Sequence, residues 1–408
     1  MAALSLLLLS FKVESVVLLT LSLSIILLLY YDYHQALDSG SSVGHISIVR
    51  ESTKVATELE EVEVRVFVEN SSGRDIALSE VIDLAPEFLA LSGRPSATIA
   101  LPRGTTATFS YRARPLLPGS YVFRDVEVRA FGPLGFFMTQ TRVSCPTTLI
   151  VLPYYSGVGI PLKSIERFWG LLIRGKATGG MYDLADFREY SPGDDYRKIV
   201  WKAYARTGRV YVREDFGEVK ARVLLILDVR AWDWNLGDPP NTLASIELRT
   251  LRSLVAGLAR YGVPVDLAVC CSATAKVVRS ATEDVAKALV DVFSYVTPRC
   301  YCSSHMGVYT SVPTYMGRQT SDYAAVILIA NPISLAAESP AGFTELVETF
   351  GSRLRVFIPR FEYERYIDRR DIERLYGILS DVLERAGGSL ELGEESLVLH
   401  YTTKRDKK

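Results

Sequence analysis

Residues 222–229 read RVLLILDV, a run of apolar residues that closes on an acid. Further apolar runs follow at 264–271 (PVDLAVCC), 275–279 (AKVVR), 323–330 (YAAVILIA) and 353–358. Helical periodicity fills the intervals at 244–261, 282–296, 340–350 and 370–387. Continuous apolar strands that alternate with amphipathic helices predict a parallel sheet covered on both faces. The spacing therefore reads as a doubly wound α/β domain over residues 221–400, followed by a basic tail at 401–408.

Upstream the pattern changes. Val62, Val64, Val66 and Val68 alternate with Glu61, Glu63, Arg65 and Phe67, the period of a half-buried strand. Strand-like runs recur at 107–114, 121–130 and 147–152, punctuated by Asn70-Ser71-Ser72-Gly73, Pro118-Gly119 and Gly132-Pro133-Leu134-Gly135. Short strands at this spacing predict an Ig-like β-sandwich over residues 44–153. Cys145 is expected to pack inside it. Asn70-Ser71-Ser72 is also a glycosylation sequon, relevant only to an outward-facing domain.

One stretch is apolar enough for a bilayer. Residues 15–31 (SVVLLTLSLSIILLLYY) carry no charge until Asp32, and as a helix they reach about 25 Å. Tyr30, Tyr31 and Tyr33 would stand at the membrane surface. Residues 1–34 thus predict an uncleaved transmembrane anchor, as one span or a short hairpin. The few flanking charges lean toward an outside location for the bulk of the chain.

Composition narrows the function. The chain has 408 residues, more than one core usually serves, with 46 basic and 47 acidic side chains and a net charge of −1. No basic excess marks a nucleic-acid binder. Four Asn and three Gln are few, as in proteins from heat-loving organisms. No P-loop or dinucleotide-binding glycine motif occurs, so no cofactor is implied and ATP would belong to a partner.

Between the two domains, residues 162–220 hold a candidate helix at 162–174 and then a dense charged segment. Residues 179–216 carry seven acidic and seven basic side chains interleaved with Tyr182, Phe187, Tyr190, Tyr196, Trp201, Tyr204 and Tyr211. Aromatics among arginines favour stacked ion pairs or a contact surface. Phe187-Arg188-Glu189-Tyr190, then Pro192-Gly193-Asp194-Asp195-Tyr196-Arg197-Lys198-Ile199, then Trp201-Lys202-Ala203 and Ala205-Arg206 resemble the signature of the domain of unknown function 58 family. The run YVFRDVEVRAFGPLGFF at 121–137 resembles that family's upstream segment. Val200 departs from it, standing where an acidic residue is usual.

This resemblance implies a membrane-anchored protein with a von Willebrand factor A-like domain after the signature. It also implies a MoxR-type AAA+ ATPase as partner, in the assembly or maturation of protein complexes, and no established catalytic activity. On this reading Arg188, Glu189, Tyr190, Gly193, Asp194, Asp195, Arg197, Trp201, Lys202 and Arg206 form the partner-binding or signature network. The same residues could instead weld the segment to its own sheet. Two further functions stay open: an outward-facing adhesion or receptor module, and a hydrolase using Asp194 and Asp195 beside Arg197.

Metal chemistry has two candidate locations. Metal-binding A domains end their first strand in Asp-x-Ser-x-Ser, which supplies the oxygens a hard cation needs. Here the run is Asp228-Val229-Arg230-Ala231-Trp232, with Arg230 and Trp232 in place of both hydroxyls. That predicts a degenerate metal-site remnant in which an arginine charge replaces the cation. The fourth strand ends at Ala330-Asn331-Pro332, again without an acid. Separately, Cys300, Cys302 and His305 could join Cys270 or Cys271 on zinc, form a disulfide, or remain thiols.

Overall fold

The structure is a computed structural model of the whole chain. It describes residues 16–155, 186–190, 199–214, 222–260, 262–270, 275–298, 323–337, 348–350, 353–359, 361–371, 388–392 and 396–401, with isolated positions between them. Two compact units divide at Tyr154 and Tyr155.

The first unit opens with helix α1 (Val16–Val43), which is long and apolar enough to cross a membrane. It continues 12 residues beyond the apolar run that ends at Tyr31. The sequence reading stopped the anchor at residue 34. The extra turns exist because their inner face, Ala36 and Val43, packs on the sandwich and is fully buried. Nine strands follow: β1 (Ile46–Ser52), β2 (Val55–Thr57), β3 (Val62–Asn70), β4 (Ile76–Asp83), β5 (Leu89–Ser92), β6 (Ser96–Leu101), β7 (Thr106–Pro115), β8 (Gly119–Phe131) and β9 (Met138–Leu152). They form two sheets, ordered β1-β3-β7-β5 and β2-β9-β8-β4-β6. All neighbours are antiparallel except β2 and β9.

The alternating valines of β3 point inward, and Val64, Val66 and Val68 meet Val81, Phe123, Val126, Val128 and Leu149 of the other sheet in one core. Cys145 lies in that core. A buried polar clamp ties the sheets together. Arg50 on β1 donates to Asp83 on β4 through Nη2 (2.6 Å) and Nε (3.0 Å), and to the carbonyl of Cys145 on β9. Tyr111 on β7 donates to the same carboxylate at 2.8 Å, and burial beside Asp83 pushes its hydroxyl pKa up. The sequon is closed by the same logic. Asn70 is wholly buried, its amide donating to the carbonyls of Arg74 (2.9 Å) and Leu101 (2.7 Å), so a glycan there is incompatible with this fold.

The second unit contains β10 (Asp186–Glu189), helix α2 (Trp201–Thr207), β11 (Tyr211–Glu214), β12 (Arg222–Asp228), helix α3 (Leu243–Arg260), β13 (Val265–Cys270), β14 (Ala275–Val278), helix α4 (Val285–Phe293), β15 (Tyr323–Ile329), helix α5 (Pro332–Ala337), β16 (Leu354–Pro359), β17 (Gly388–Leu392) and β18 (Ser396–Tyr401). Its main sheet has the order β14-β13-β12-β15-β16-β18-β17. The four central strands are parallel, but β14 runs antiparallel to β13, and β18 and β17 close the other edge as an antiparallel hairpin.

The sequence reading had residues 275–279 in the parallel set. The short connection from Cys270 to Ala275 has no room for a crossover helix, so it can only reverse the chain. The C-terminal hairpin was not foreseen, and it carries Tyr401 beyond the boundary set for the tail. The candidate helix at 162–174 lies outside the described residues, as do most of 340–350 and 370–387.

Candidate functional site

Sheet order places the first site. From β12 the chain crosses through α3 to β13 on one side and later returns to β15 on the other. The C-terminal ends of β12 and β15 therefore flank the switch point, where open α/β sheets hold ligands. Asp228 is the last residue of β12, and Asn331 follows β15 by two positions. Both are fully buried, as are Asp233, Glu247 and Ser334, while Arg230 is 4% exposed.

The local sequence explains the packing. Arg230 lies two residues beyond Asp228, so its guanidinium folds back on that carboxylate, with Nε at 3.0 and 3.2 Å from the two oxygens. The same guanidinium lies over the ring of Trp232 at 5.4 Å. The turn Ala231–Trp234 brings Asp233 back to accept from the Arg230 backbone N–H at 2.6 Å. Asn331 then bridges two acids, donating to Asp233 at 2.8 Å and to Glu247 at 2.9 Å. Its own oxygen accepts from the Ser334 N–H at 2.9 Å, and the Trp232 indole N–H reaches the Ser334 hydroxyl at 3.4 Å.

The electrostatics follow from the charges. Arg230 neutralises Asp228, which leaves Asp233 and Glu247 in a dry site. Burial pushes the Asp233 carboxyl up to about 8, and burial raises Glu247 well above the usual range, with Asp233 adding to it. One oxygen of Glu247 has no hydrogen-bond partner. The native state thus binds these protons more tightly than the unfolded chain, so stability is full below the ordinary carboxyl range and falls as pH rises toward 8. Thermal melts of the second unit between pH 5 and pH 8 should show this decline, and Glu247→Gln should flatten it. An unchanged slope in that variant would assign the dependence to other groups. Among the described residues no cluster of His, Cys, Asp or Glu is placed to hold a metal ion.

Sequence reasoning named Asp228, Arg230 and Trp232 here but missed Asp233 and Glu247. Glu247 was visible in principle, since it sits between Leu243 and Leu251 at four-residue spacing on the inward stripe of α3. Cys270 is buried in the sheet core, whereas Cys271, Cys300, Cys302 and His305 lie outside the described residues.

The second site is the charged segment. β10 and β11 pair antiparallel, Asp186 opposite Glu214 and Glu189 opposite Tyr211, and Ile199 bridges to Val212. Helix α2 connects them and buries none of its residues. Its cap position, Val200, makes no side-chain capping bond, and Gly208 ends the helix at φ +69°. Trp201 is 64% exposed and meets Tyr204 edge-on at 6.3 Å. Tyr190, Lys202 and Arg206 are also exposed, and Glu189 pairs with Arg209 at 3.2 Å on the surface. Arg188 lies on β10, opposite Val212. Gly193, Asp194, Asp195 and Arg197 lie outside the described residues.

The second site and the Asp228–Trp234 part of the first lie on one continuous piece of sequence. Residues 186–234 match the family described as "Protein of unknown function DUF58". The DUF58 match runs from the first residue of β10 to the end of the Asp228–Trp234 turn, a short stretch of the chain. No curated protein matches the chain. Several solved structures are similar over about a quarter of the chain. The CARDB domain of the PF1109 protein from Pyrococcus furiosus is 12% identical, covers 27% of this chain and 94% of its own, and has a TM-score of 0.20. The ASH/PapD-like domain of human CEP192 is 15% identical, covers 26% of this chain and 86% of its own, with a TM-score of 0.19.

Proposed function

We propose that the chain is a membrane-anchored, non-enzymatic interaction protein. It acts as an adaptor or chaperone-like partner of a MoxR-type AAA+ ATPase in the assembly or maturation of protein complexes. The observation that carries this reading is α2 within the DUF58 stretch. A helix that buries none of its own residues, yet displays Trp201 and Tyr204 beside Lys202 and Arg206, has the composition of an interface and not of a solvated face.

Helix α1 supplies the anchor. The four parallel strands, with Asp228 and Asn331 at the switch point, support a von Willebrand factor A-like domain whose cation is replaced by the Arg230 guanidinium. Buried as they are, Asp228, Asp233 and Glu247 serve as a structural network at the end of the sheet and offer no group to a substrate.

Capture of a MoxR-type ATPase of the same organism by the full chain in detergent, with and without ATP, tests the proposal. Wild-type chain should capture the ATPase, with nucleotide changing the yield. Trp201→Ala should weaken binding about 30-fold, an interface-anchor loss of about 2 kcal/mol, while shifting stability by less than about 0.5 kcal/mol. Equal capture by both proteins would remove α2 from the interface. A variant that unfolds would mean that the segment is internal.

A further inference from the structure

The β8–β9 hairpin presents an apolar tip that the sandwich core does not use. Leu134 is 46%, Phe136 68% and Met138 53% exposed, and Phe137 adds to the same patch. Four neighbouring apolar side chains at one turn are more than scattered surface residues require, and such a patch on a soluble domain implies a covering partner.

Helix α1 shows what that partner is. Asp32, the first charge after the apolar run, is fully buried because the hairpin wraps its carboxylate. The backbone N–H of Leu134 donates to it at 2.6 Å, that of Phe136 at 2.9 Å and that of Phe137 at 3.0 Å. Thr139 donates to the Ala36 carbonyl at 3.2 Å, and the Tyr33 and Phe137 rings meet edge-on at 5.4 Å. Two glycines allow this approach. A Cβ at Gly132 would strike the backbone and carboxylate of Asp32, and one at Gly40 would strike the Thr139 side chain. Gly135, at φ +76°, closes the turn.

Tyr30 and Tyr31 lie within about 3 Å of Asp32 along the helix axis and are exposed. The hairpin tip is therefore locked at the level where α1 would leave the hydrocarbon, continuous with an exposed tyrosine belt.

We infer that the β8–β9 hairpin tip is a second membrane contact, seating Leu134, Phe136 and Met138 in the headgroup region beside α1. The contact rests on the proposed anchoring of α1. A single helix leaves a domain free to tilt and swivel, whereas a helix and a hairpin bonded through Asp32 fix the sandwich against the lipid surface. Aromatic and apolar side chains at this depth suit the interface, where one side is wet and the other oily.

Depth-dependent quenching tests this in the full chain, reconstituted into phosphatidylcholine vesicles that contain lipids spin-labelled near the headgroup or deep in the acyl chain. Phe136→Trp reports the tip, Leu23→Trp the middle of the apolar run of α1, and Leu91→Trp, exposed at the far end of the sandwich, the control. The four native tryptophans give a common background that is subtracted. The added emission at 136 should be lost to the shallow quencher, that at 23 to the deep one, and that at 91 to neither. Quenching at 23 but not at 136 would overturn the hairpin contact and leave the anchor standing. Quenching at neither position would overturn both. If Phe136→Trp disturbs the turn, Met138→Trp reports the same depth from the start of β9.

Discussion

Arg230→Met is expected to cost the second unit about 3–5 kcal/mol at neutral pH, because it strands the Asp228 carboxylate in a dry site. The wild-type arrangement sets the guanidinium 3.0 Å from that carboxylate, with Asp233 and Glu247 linked to the pair through the Arg230 backbone and Asn331. Removing the cation leaves three buried carboxyl groups in one network. The loss should shrink as pH falls, since Asp228 can then take a proton as its neighbours do. The double variant Asp228→Asn/Arg230→Met should recover much of the loss, a coupling that a cavity effect alone would not produce. Urea unfolding in detergent, followed by the fluorescence of Trp232 and Trp234 beside the site, reads this directly. A loss below about 1 kcal/mol, independent of pH, would mean that Arg230 does not stand in for a cation.

The second large effect is expected in the sandwich. Asp83→Ala leaves Arg50 as a buried, uncompensated charge and removes the acceptor of the Tyr111 hydroxyl, again at a cost of about 3–5 kcal/mol. Arg50 comes from one sheet and Asp83 from the other, so the loss falls on the packing of the two sheets and not on either ladder alone. Asp83→Asn retains an acceptor for Tyr111 and should cost less. Amide exchange of β8 and β3 is the suitable probe, since all four tryptophans lie beyond residue 155. Unchanged protection in Asp83→Ala would show that the clamp contributes nothing to joining the sheets.

How far the sequence could be read depended on whether a signal was local. Val62 to Val68 declared their strand because every second residue had to face the core, and RVLLILDV declared a central strand because both faces are covered. Arg230 could be paired with Asp228 on paper because they are only two positions apart. Glu247 and Asn331 could not be joined so easily, since they are 84 positions apart and only the crossing of α3 over the sheet brings them together. The C-terminal hairpin was missed for a different reason. Its alternation, Leu390 and Leu392 against Leu397 and Leu399, is too short to stand out beside the continuous apolar strands of the sheet. Asp32 read as the end of a membrane span, whereas its partners are backbone N–H groups more than 100 residues away, to which side-chain patterning is blind.

The docking reading turns on whether Trp201 faces another protein. Replacing Trp201 with a photo-reactive benzoylphenylalanine in the full chain, in vesicles with a MoxR-type ATPase and ATP, asks this at one atom's reach. The account predicts an adduct between residue 201 and the ATPase. An adduct confined to the chain's own second unit, with folded ATPase present, would contradict it and make α2 a weld between the DUF58 stretch and its sheet.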